Sequence, residues 1–111
     1  MSNNNEINTS METMNQAEII APARYTVAVE SMDEAIRLFG VFDENLRIIQ
    51  QETGASIKSE ADCISITGEE KDASLAHVGV DKLLMMLRKG ENIDRSRIRY
   101  AVDLEIGRAH V

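Results

Sequence analysis

The sequence predicts an α+β domain in which a three-stranded sheet is packed by helices, with the element order βααββα and one extra C-terminal helix. Three patterns predict it: an alternating apolar segment that starts at Tyr25, two short alternating segments within 55–66, and a long amphipathic segment over 70–89. With 111 residues, of which 43% are hydrophobic, the chain can bury one core. We therefore expect one domain of this class.

The first strand leads directly into the first helix. Apolar residues alternate on one side of the strand, at Tyr25, Val27 and Val29. Ser31 and Glu34 have the spacing of a capping box, which starts a helix. The apolar residues of this helix are spaced for one buried face, namely Ala35, Ile36, Leu38 and Phe39. Gly40 lies where a left-handed C-cap is needed, so we expect the helix to end there.

A second helix and two short strands follow. Asp43 is placed to cap the second helix with its carboxylate, and Gly54 ends that helix. Leu46 and Ile49 are its inward-facing residues. The two strands carry apolar residues at alternate positions, namely Ala55 and Ile57 on one and Ile64 and Ile66 on the other. These segments supply the remaining two strands of the sheet.

The longest helix covers about 70–89. Acidic residues lie at its start and Arg88 and Lys89 at its end, which complements the helix dipole. Its apolar residues share one face, as expected for a helix that lies on a sheet. They are Ala73, Leu75, Ala76, Gly79, Val80, Leu83, Leu84, Met86 and Leu87. Because Gly79 costs helix propensity within this face, we expect it to permit a close approach of the helix to the sheet.

The chain divides into three parts. Residues 1–23 are rich in Asn, Glu, Met, Ser and Thr without clear periodicity, which predicts a disordered N-terminal tail. The α+β domain covers 24–90. Residues 91–111 hold the last helix, which Asp94 can cap.

Composition and motifs exclude several classes of function. The net charge of −7 argues against a high-affinity, sequence-independent nucleic-acid binder. No apolar run can span a bilayer and the N-terminus lacks a signal-peptide pattern, so we expect a cytoplasmic protein without membrane contact. The single Cys63 is expected to act as a small buried hydrophobe in a strand. Helix capping explains the acidic pairs, and His77 lies at the edge of an apolar face. We expect no catalytic residue and no metal site.

The most specific pattern is L-F-G-x-F-D-x-N-L, which spans Leu38 to Leu46. Together with Glu52-Thr53-Gly54, the strand before Gly68 and the helix that holds Leu83 and Leu84, this segment closely resembles the N-terminal domain of PhoH-like proteins. The resemblance covers about Tyr25 to Leu104. It implies a bacterial, cytoplasmic P-loop ATPase linked with RNA metabolism, in which this domain precedes the nucleotide-binding domain.

The resemblance also implies that nucleotide binding and the function of this chain belong to different domains. The chain has no G-x-x-x-x-G-K-[ST] loop, so ATP and Mg²⁺ are expected to bind the ATPase domain that the chain lacks, and no cofactor is expected here. The implied function is to guide an RNA or protein substrate, or to regulate the ATPase. Two alternatives stay open: a free-standing, diverged RNA-binding module, and a protein-interaction domain that has lost RNA binding.

The element order resembles that of a type I KH domain, in which a G-x-x-G loop between two helices holds nucleic-acid phosphates. The resemblance implies a candidate nucleic-acid site at Gly40, Val41, Phe42, Asp43, Asn45 and Arg47. The second glycine of the loop is replaced by Asp43, and the loop has no basic residue. We expect the Asp43 carboxylate to occupy the helix amides that would otherwise meet a phosphate, so that RNA binds weakly.

A second candidate surface consists of apolar residues on the polar sides of the last two helices. They are Val78, Met85, Tyr100 and Leu104. We expect these residues to dock against the ATPase domain or a neighbouring subunit, and a homo-oligomer of this chain is a further outcome of such a surface.

Overall fold

The structure is a computed structural model that describes the backbone of residues 22–107 and the side chains of residues 22–103. The strands are β1 (Ala23–Ala28), β2 (Ser56–Ser59) and β3 (Cys63–Gly68). The helices are α1 (Met32–Phe39), α2 (Glu44–Thr53), α3 (Glu70–Arg88) and α4 (Arg95–Gly107), and a short 3₁₀ turn (Val41–Asp43) separates α1 from α2. This is the predicted α+β class and the predicted order. The tail predicted over 1–23 lies outside the described residues up to residue 21.

The sheet is antiparallel, with β3 in the centre and the strand order β1-β3-β2. In the register, Ile66 of β3 is flanked by Tyr25 of β1 and Ile57 of β2. Alternate residues of each strand therefore face the helices, as the period of two in the sequence predicts. Ile57 and Ile66 are buried at the centre of this face.

All four helices contribute to one hydrophobic core on that face of the sheet. The predicted apolar face of α3 is confirmed, with Val80, Leu83 and their neighbours buried. Helix α4 adds three side chains with 0% exposure, Ile98, Ala101 and Val102. The segment after residue 90, which was predicted to lie outside the domain, thus contributes to its core through these residues and Ile93.

Gly79 permits a close helix contact, but the partner is not the predicted one. A Cβ atom built on Gly79 would lie 3.4 Å from Cγ2 of Val102 on α4, and no sheet atom lies within 4 Å of it. The expected approach of α3 to the sheet is therefore wrong. The small residue instead lets α4 pack closely on α3, because it lies on the side of α3 that faces α4 rather than the strands.

The ends of the helices follow the predicted capping in part. The Ser31 hydroxyl accepts a hydrogen bond from the Glu34 N–H at 3.1 Å, and the Asp94 carboxylate accepts one from the Arg97 N–H at 2.9 Å. Gly54 ends α2 in the left-handed conformation as predicted. Gly40 ends α1 with a positive φ of 81°, but its ψ of 179° is extended rather than left-handed helical.

Ile36 is not buried, contrary to its predicted place on the inner face of α1. Its side chain is 60% exposed, whereas Ala35, Leu38 and Phe39 are buried. At about 100° per residue, Ile36 lies a full step around the helix from Ala35, outside the arc that the three buried residues share. Within residues 22–107, no helix combines the length and the apolar character needed to cross a bilayer.

Candidate functional site

The loop between α1 and α2, residues 40–43, has an uncommon backbone. Phe42 and Asp43 have positive φ angles of 53° and 57°, in addition to Gly40. Left-handed backbone costs a residue with a side chain roughly 1–2 kcal/mol, so two such residues in succession need support from their surroundings. Val41 and Phe42 are also 73% and 87% exposed. The loop therefore holds an apolar and an aromatic side chain out in solvent.

Two hydrogen bonds support this conformation, one from the following helix and one within the loop. The guanidinium of Arg47 donates to the Phe42 carbonyl at 2.7 Å, and the Asp43 N–H donates to the Gly40 carbonyl at 3.1 Å. Arg47, a predicted nucleic-acid contact, is thus engaged with the backbone of the loop. Its cationic side chain fixes the position of Phe42.

Asn45, another predicted contact, is buried beneath the loop with 8% exposure. Its side-chain amide donates to the carbonyls of Leu38, at 3.0 Å, and Ile93, at 3.4 Å. A Cβ atom on Gly40 would lie only 2.7 Å from Nδ2 of Asn45. Gly40 and Asn45 therefore fit against each other and shape the loop, and the amide of Asn45 is turned away from solvent.

Asp43 does not cap α2, so the predicted self-occupation of the helix N-terminus is wrong. Its side chain makes no capping hydrogen bond. A capping residue normally has extended backbone, which directs its side chain back toward the helix amides. With φ 57° and ψ 30°, Asp43 has left-handed backbone instead, and its side chain is exposed.

The charges around the loop do not favour a phosphate. Asp43 and Glu44 are exposed acidic residues at the start of α2. On α1, Arg37 forms an ion pair with Asp33 at 3.2 Å. Because Arg37 and Arg47 both have partners already, a phosphate would have to compete with a carboxylate or a carbonyl for either guanidinium.

An open groove of about 580 Å³ adjoins the loop, between α1, α2 and the connection from α3 to α4. Its apolar lining is formed by Ile36, Val41, Ile48, Leu87 and Ile93. This groove could not be predicted from the sequence, because Ile36 was expected in the core and Ile93 lies in a connection without periodicity. Charged residues also line the groove, namely Arg37, Glu44, Asp94 and Arg95, so its apolar floor is bordered by both signs of charge.

The second predicted surface is not one continuous patch of exposed residues. Met85 and Tyr100 are 58% and 59% exposed, as expected, but Val78 is half-buried. Met85 lines a separate groove beside β1. Leu104 lies beyond the residues whose side chains the structure describes.

Two titratable side chains of the described residues have shifted pKa values without a catalytic partner, namely Cys63 and Tyr25. Partial burial raises the pKa of the Cys63 thiol, which keeps it protonated and unreactive at neutral pH. Tyr25 stacks on His77 with 4.7 Å between the ring centroids and donates a hydrogen bond to Glu70 at 2.6 Å, which raises the pKa of Tyr25. In the part of the chain that the structure describes, no group of His, Cys, Asp or Glu is suited to hold a metal ion.

The sequence is similar to that of several PhoH-like proteins. The similarity to the PhoH-like protein of Mycobacterium tuberculosis is 25% identity over 75 residues, which is 68% of this chain and 21% of that protein. For the PhoH-like protein of Bacillus subtilis it is 26% over 76 residues, which is 68% of this chain and 24% of that protein. The chain thus spans about a quarter or less of the relatives that it matches. No family model matches it.

Two solved structures are similar in fold. A protein of unknown function from Aeropyrum pernix superposes with a TM-score of 0.59 and 17% identity, over 80% of this chain and 50% of that one. The first KH type I domain of human vigilin superposes with a TM-score of 0.54 and 19% identity, over 76% of this chain and 98% of that one. The chain thus has a KH type I fold and is similar, over two thirds of its length, to a part of the PhoH-like proteins.

Proposed function

We propose that this chain is a non-catalytic KH-like domain of a cytoplasmic, ATP-binding PhoH-like protein, in which it guides an RNA or protein substrate to the ATPase domain or regulates that domain. ATP and Mg²⁺ bind the ATPase domain in this proposal. The observation that carries it is the loop 40–43, which presents the exposed ring of Phe42 on a strained backbone. Strained backbone of this kind clusters at functional positions, where the surrounding structure holds it in place.

The chemistry of the loop favours contact through the aromatic ring rather than through charge. An exposed ring can stack on an unpaired base or serve as an apolar anchor in a protein interface. Asp43 and Glu44 beside it repel phosphate, and Arg47 is bound to the Phe42 carbonyl. We therefore propose that RNA binds weakly and that Phe42 supplies most of the contact.

The two alternatives rest on different features. A free-standing RNA-binding module is favoured by the KH type I fold and by the absence of a capping side chain at the start of α2. A protein-interaction domain without RNA binding is favoured by the apolar groove beside the loop, with Ile36 and Val41 exposed at its rim.

The first prediction concerns Phe42 and tests the proposal. We expect Phe42→Ser to weaken binding of single-stranded RNA about tenfold, because one base–aromatic stack is lost. In the complete PhoH-like protein, the same substitution should abolish stimulation of ATP hydrolysis by substrate and leave the basal rate unchanged. Fluorescence anisotropy with labelled RNA and a steady-state ATPase assay measure these effects.

Tyr100→Ser is the control for the RNA titration, since it removes another exposed aromatic ring, from α4 rather than from the loop. It should leave RNA affinity unchanged. If wild-type RNA binding is absent but Phe42→Ser still alters the regulation of ATP hydrolysis, the protein-substrate form of the proposal holds. If Phe42→Ser changes neither quantity, the loop is not the contact surface.

The second prediction concerns Asp43. Because Asp43 makes no capping bond and has a positive φ, we expect Asp43→Gly to maintain or raise the free energy of unfolding, by up to about 1 kcal/mol. The lost carboxylate should also raise affinity for single-stranded RNA. Thermal unfolding and the same titration measure the two effects.

Asp43→Asn separates charge from backbone, because asparagine removes the charge and still tolerates left-handed backbone. It should raise RNA affinity as much as Asp43→Gly does, without the gain in stability. A clear loss of stability in Asp43→Gly would mean that the carboxylate caps α2 in solution after all.

A further inference from the structure

The outer edge of β1 carries backbone groups that pair with no strand among residues 22–107. The Val29 N–H donates to the Asp62 carbonyl at 3.2 Å. The backbone N–H and C=O groups of Val29 and of every second residue before it therefore point toward β3. The N–H and C=O groups of Arg24, Thr26 and Ala28 consequently point the other way. In the part of the chain that the structure describes, no strand pairs with this edge.

The outward-facing backbone groups end at Ala28. The next outward N–H, that of Glu30, already donates to the Glu34 carboxylate at 2.9 Å. Sheet edges are commonly protected by a proline, a bulge or inward-pointing charges. β1 pairs with β3 without a bulge from Ala23 to Ala28, and Pro22 and the charged Arg24 lie only at the start of its outer edge.

A groove of about 390 Å³ runs along this edge, between β1 and α3. Its lining comes from Thr26, Val27, Ala28, Asp81, Leu84, Met85 and Arg88. Met85 projects into solvent beside the strand with 58% exposure. A strand added to the edge would therefore gain backbone hydrogen bonds and cover Met85 at the same time.

We propose that β1 pairs with β1 of a second copy of this chain, antiparallel and around a two-fold axis at Thr26. This register sets Thr26 opposite the partner's Thr26, and Arg24 opposite the partner's Ala28. Six-residue strands of this kind form an isologous contact, in which each donor meets an acceptor of the same row.

The charges along the edge complement each other in this register. Arg24 becomes the diagonal neighbour of the partner's Glu30, at a spacing that a long side chain can bridge. Both side chains can exchange their present partners for each other, because their present ion pairs are long and exposed. Arg24 pairs with Glu60 at 3.6 Å, and Glu30 pairs with Arg88 at 3.7 Å. A register shifted by two residues would lose the pairing of the Thr26 residues at the axis. The interface is small, so we expect a dimer of micromolar stability rather than an obligate one.

The third prediction is the test of this dimer. Sedimentation of the wild-type chain over a range of concentrations should show a monomer–dimer equilibrium. Thr26→Pro removes the central outward donor without removing a bond to β3, so it should weaken the dimer about tenfold or more. Thr26→Val, the matched control, retains the N–H and should preserve the dimer. Circular dichroism checks that both variants fold.

If Thr26→Pro fails to fold, Met85→Lys replaces it, since this substitution puts a charge beside the strand without changing β1. Amide exchange supplies an independent readout, in which Thr26 and Ala28 gain protection as the concentration rises. The proposal is overturned by a monomer at all concentrations, by a dimer that resists both variants, or by a dimer that only Tyr100→Ser dissociates. A monomer with protected Thr26 and Ala28 amides would mean that residues of the chain before β1 cover the edge, which also overturns it.

Discussion

Glu34→Gln is expected to lower the free energy of unfolding by about 2–3 kcal/mol. The Glu34 side chain is 5% exposed and accepts two hydrogen bonds from the Arg88 guanidinium, from Nε at 2.7 Å and Nη2 at 2.8 Å. It also accepts the Glu30 N–H. This bidentate pair ties the start of α1 to the end of α3, and an amide in place of the carboxylate would leave Arg88 without its principal partner. Urea denaturation measures the loss.

Asp33→Asn is the matched control, because it breaks a solvent-exposed ion pair on the same helix. The Asp33 and Arg37 side chains are 77% and 55% exposed, and such pairs contribute at most about 0.5 kcal/mol. Equal effects of the two substitutions would contradict the assigned role of the Glu34–Arg88 pair.

The same pair predicts a pH dependence of stability. The hydrogen bonds from Arg88 lower the pKa of Glu34 from about 4.5 to about 2. A group with a lowered folded-state pKa stabilises the protein fully above its unfolded value and loses that contribution as the pH falls through the folded one. Wild-type stability should therefore drop between pH 4.5 and 2 more steeply than that of Glu34→Gln, and the two curves should converge in acid.

Gly40→Ala is expected to cost about 2–4 kcal/mol of unfolding free energy, the other large effect among these predictions. Alanine at this position would have to adopt a positive φ. Its Cβ atom would also lie 2.7 Å from Nδ2 and 3.0 Å from Cγ of Asn45. Asn45 is buried and cannot move without releasing the carbonyls of Leu38 and Ile93. Thermal and urea unfolding measure this cost.

Gly90→Ala separates backbone strain from the clash. Gly90 also has a positive φ, of 92°, but a Cβ atom there would meet nothing within 4 Å. Its substitution should cost only about 1 kcal/mol. Gly40→Ala combined with Asn45→Ala should cost clearly less than the sum of the two single changes, because each removes what the other depends on. An additive double variant would show that the two residues are not coupled.

The periodic elements were predictable because their signal is local. The alternation at Tyr25, Val27 and Val29 and the apolar face of α3 follow from the geometry of strands and helices alone. The errors arise where tertiary contacts decide. Asp43 has the residue type and the position of a cap, but its backbone is left-handed and its side chain makes no capping hydrogen bond.

The position of the candidate loop in the fold was predicted correctly, but the contacts of its residues were not. The loop pattern located residues 40–43, whereas nothing local in the sequence shows that Arg47 would bind a carbonyl or that Asn45 would be buried. The Glu34–Arg88 pair and the Gly79–Val102 contact join residues 54 and 23 positions apart. Neither partner can be chosen from one sequence, because several other residues have suitable chemistry.

The fit of Asn45 against Gly40 changes how the L-F-G-x-F-D-x-N-L pattern should be interpreted. Its glycine and asparagine depend on each other. Any side chain at position 40 would collide with the Asn45 amide, and a shorter side chain at position 45 would leave the Leu38 carbonyl without its hydrogen bond. The two positions should therefore vary together among homologues, independently of what the protein binds. A search with this pattern would retrieve proteins that share the shape of the turn, whereas the exposed residue at position 42 is free to differ with the ligand. Variation at position 42 alone, on an unchanged glycine–asparagine pair, would then mark homologues that have exchanged one binding partner for another.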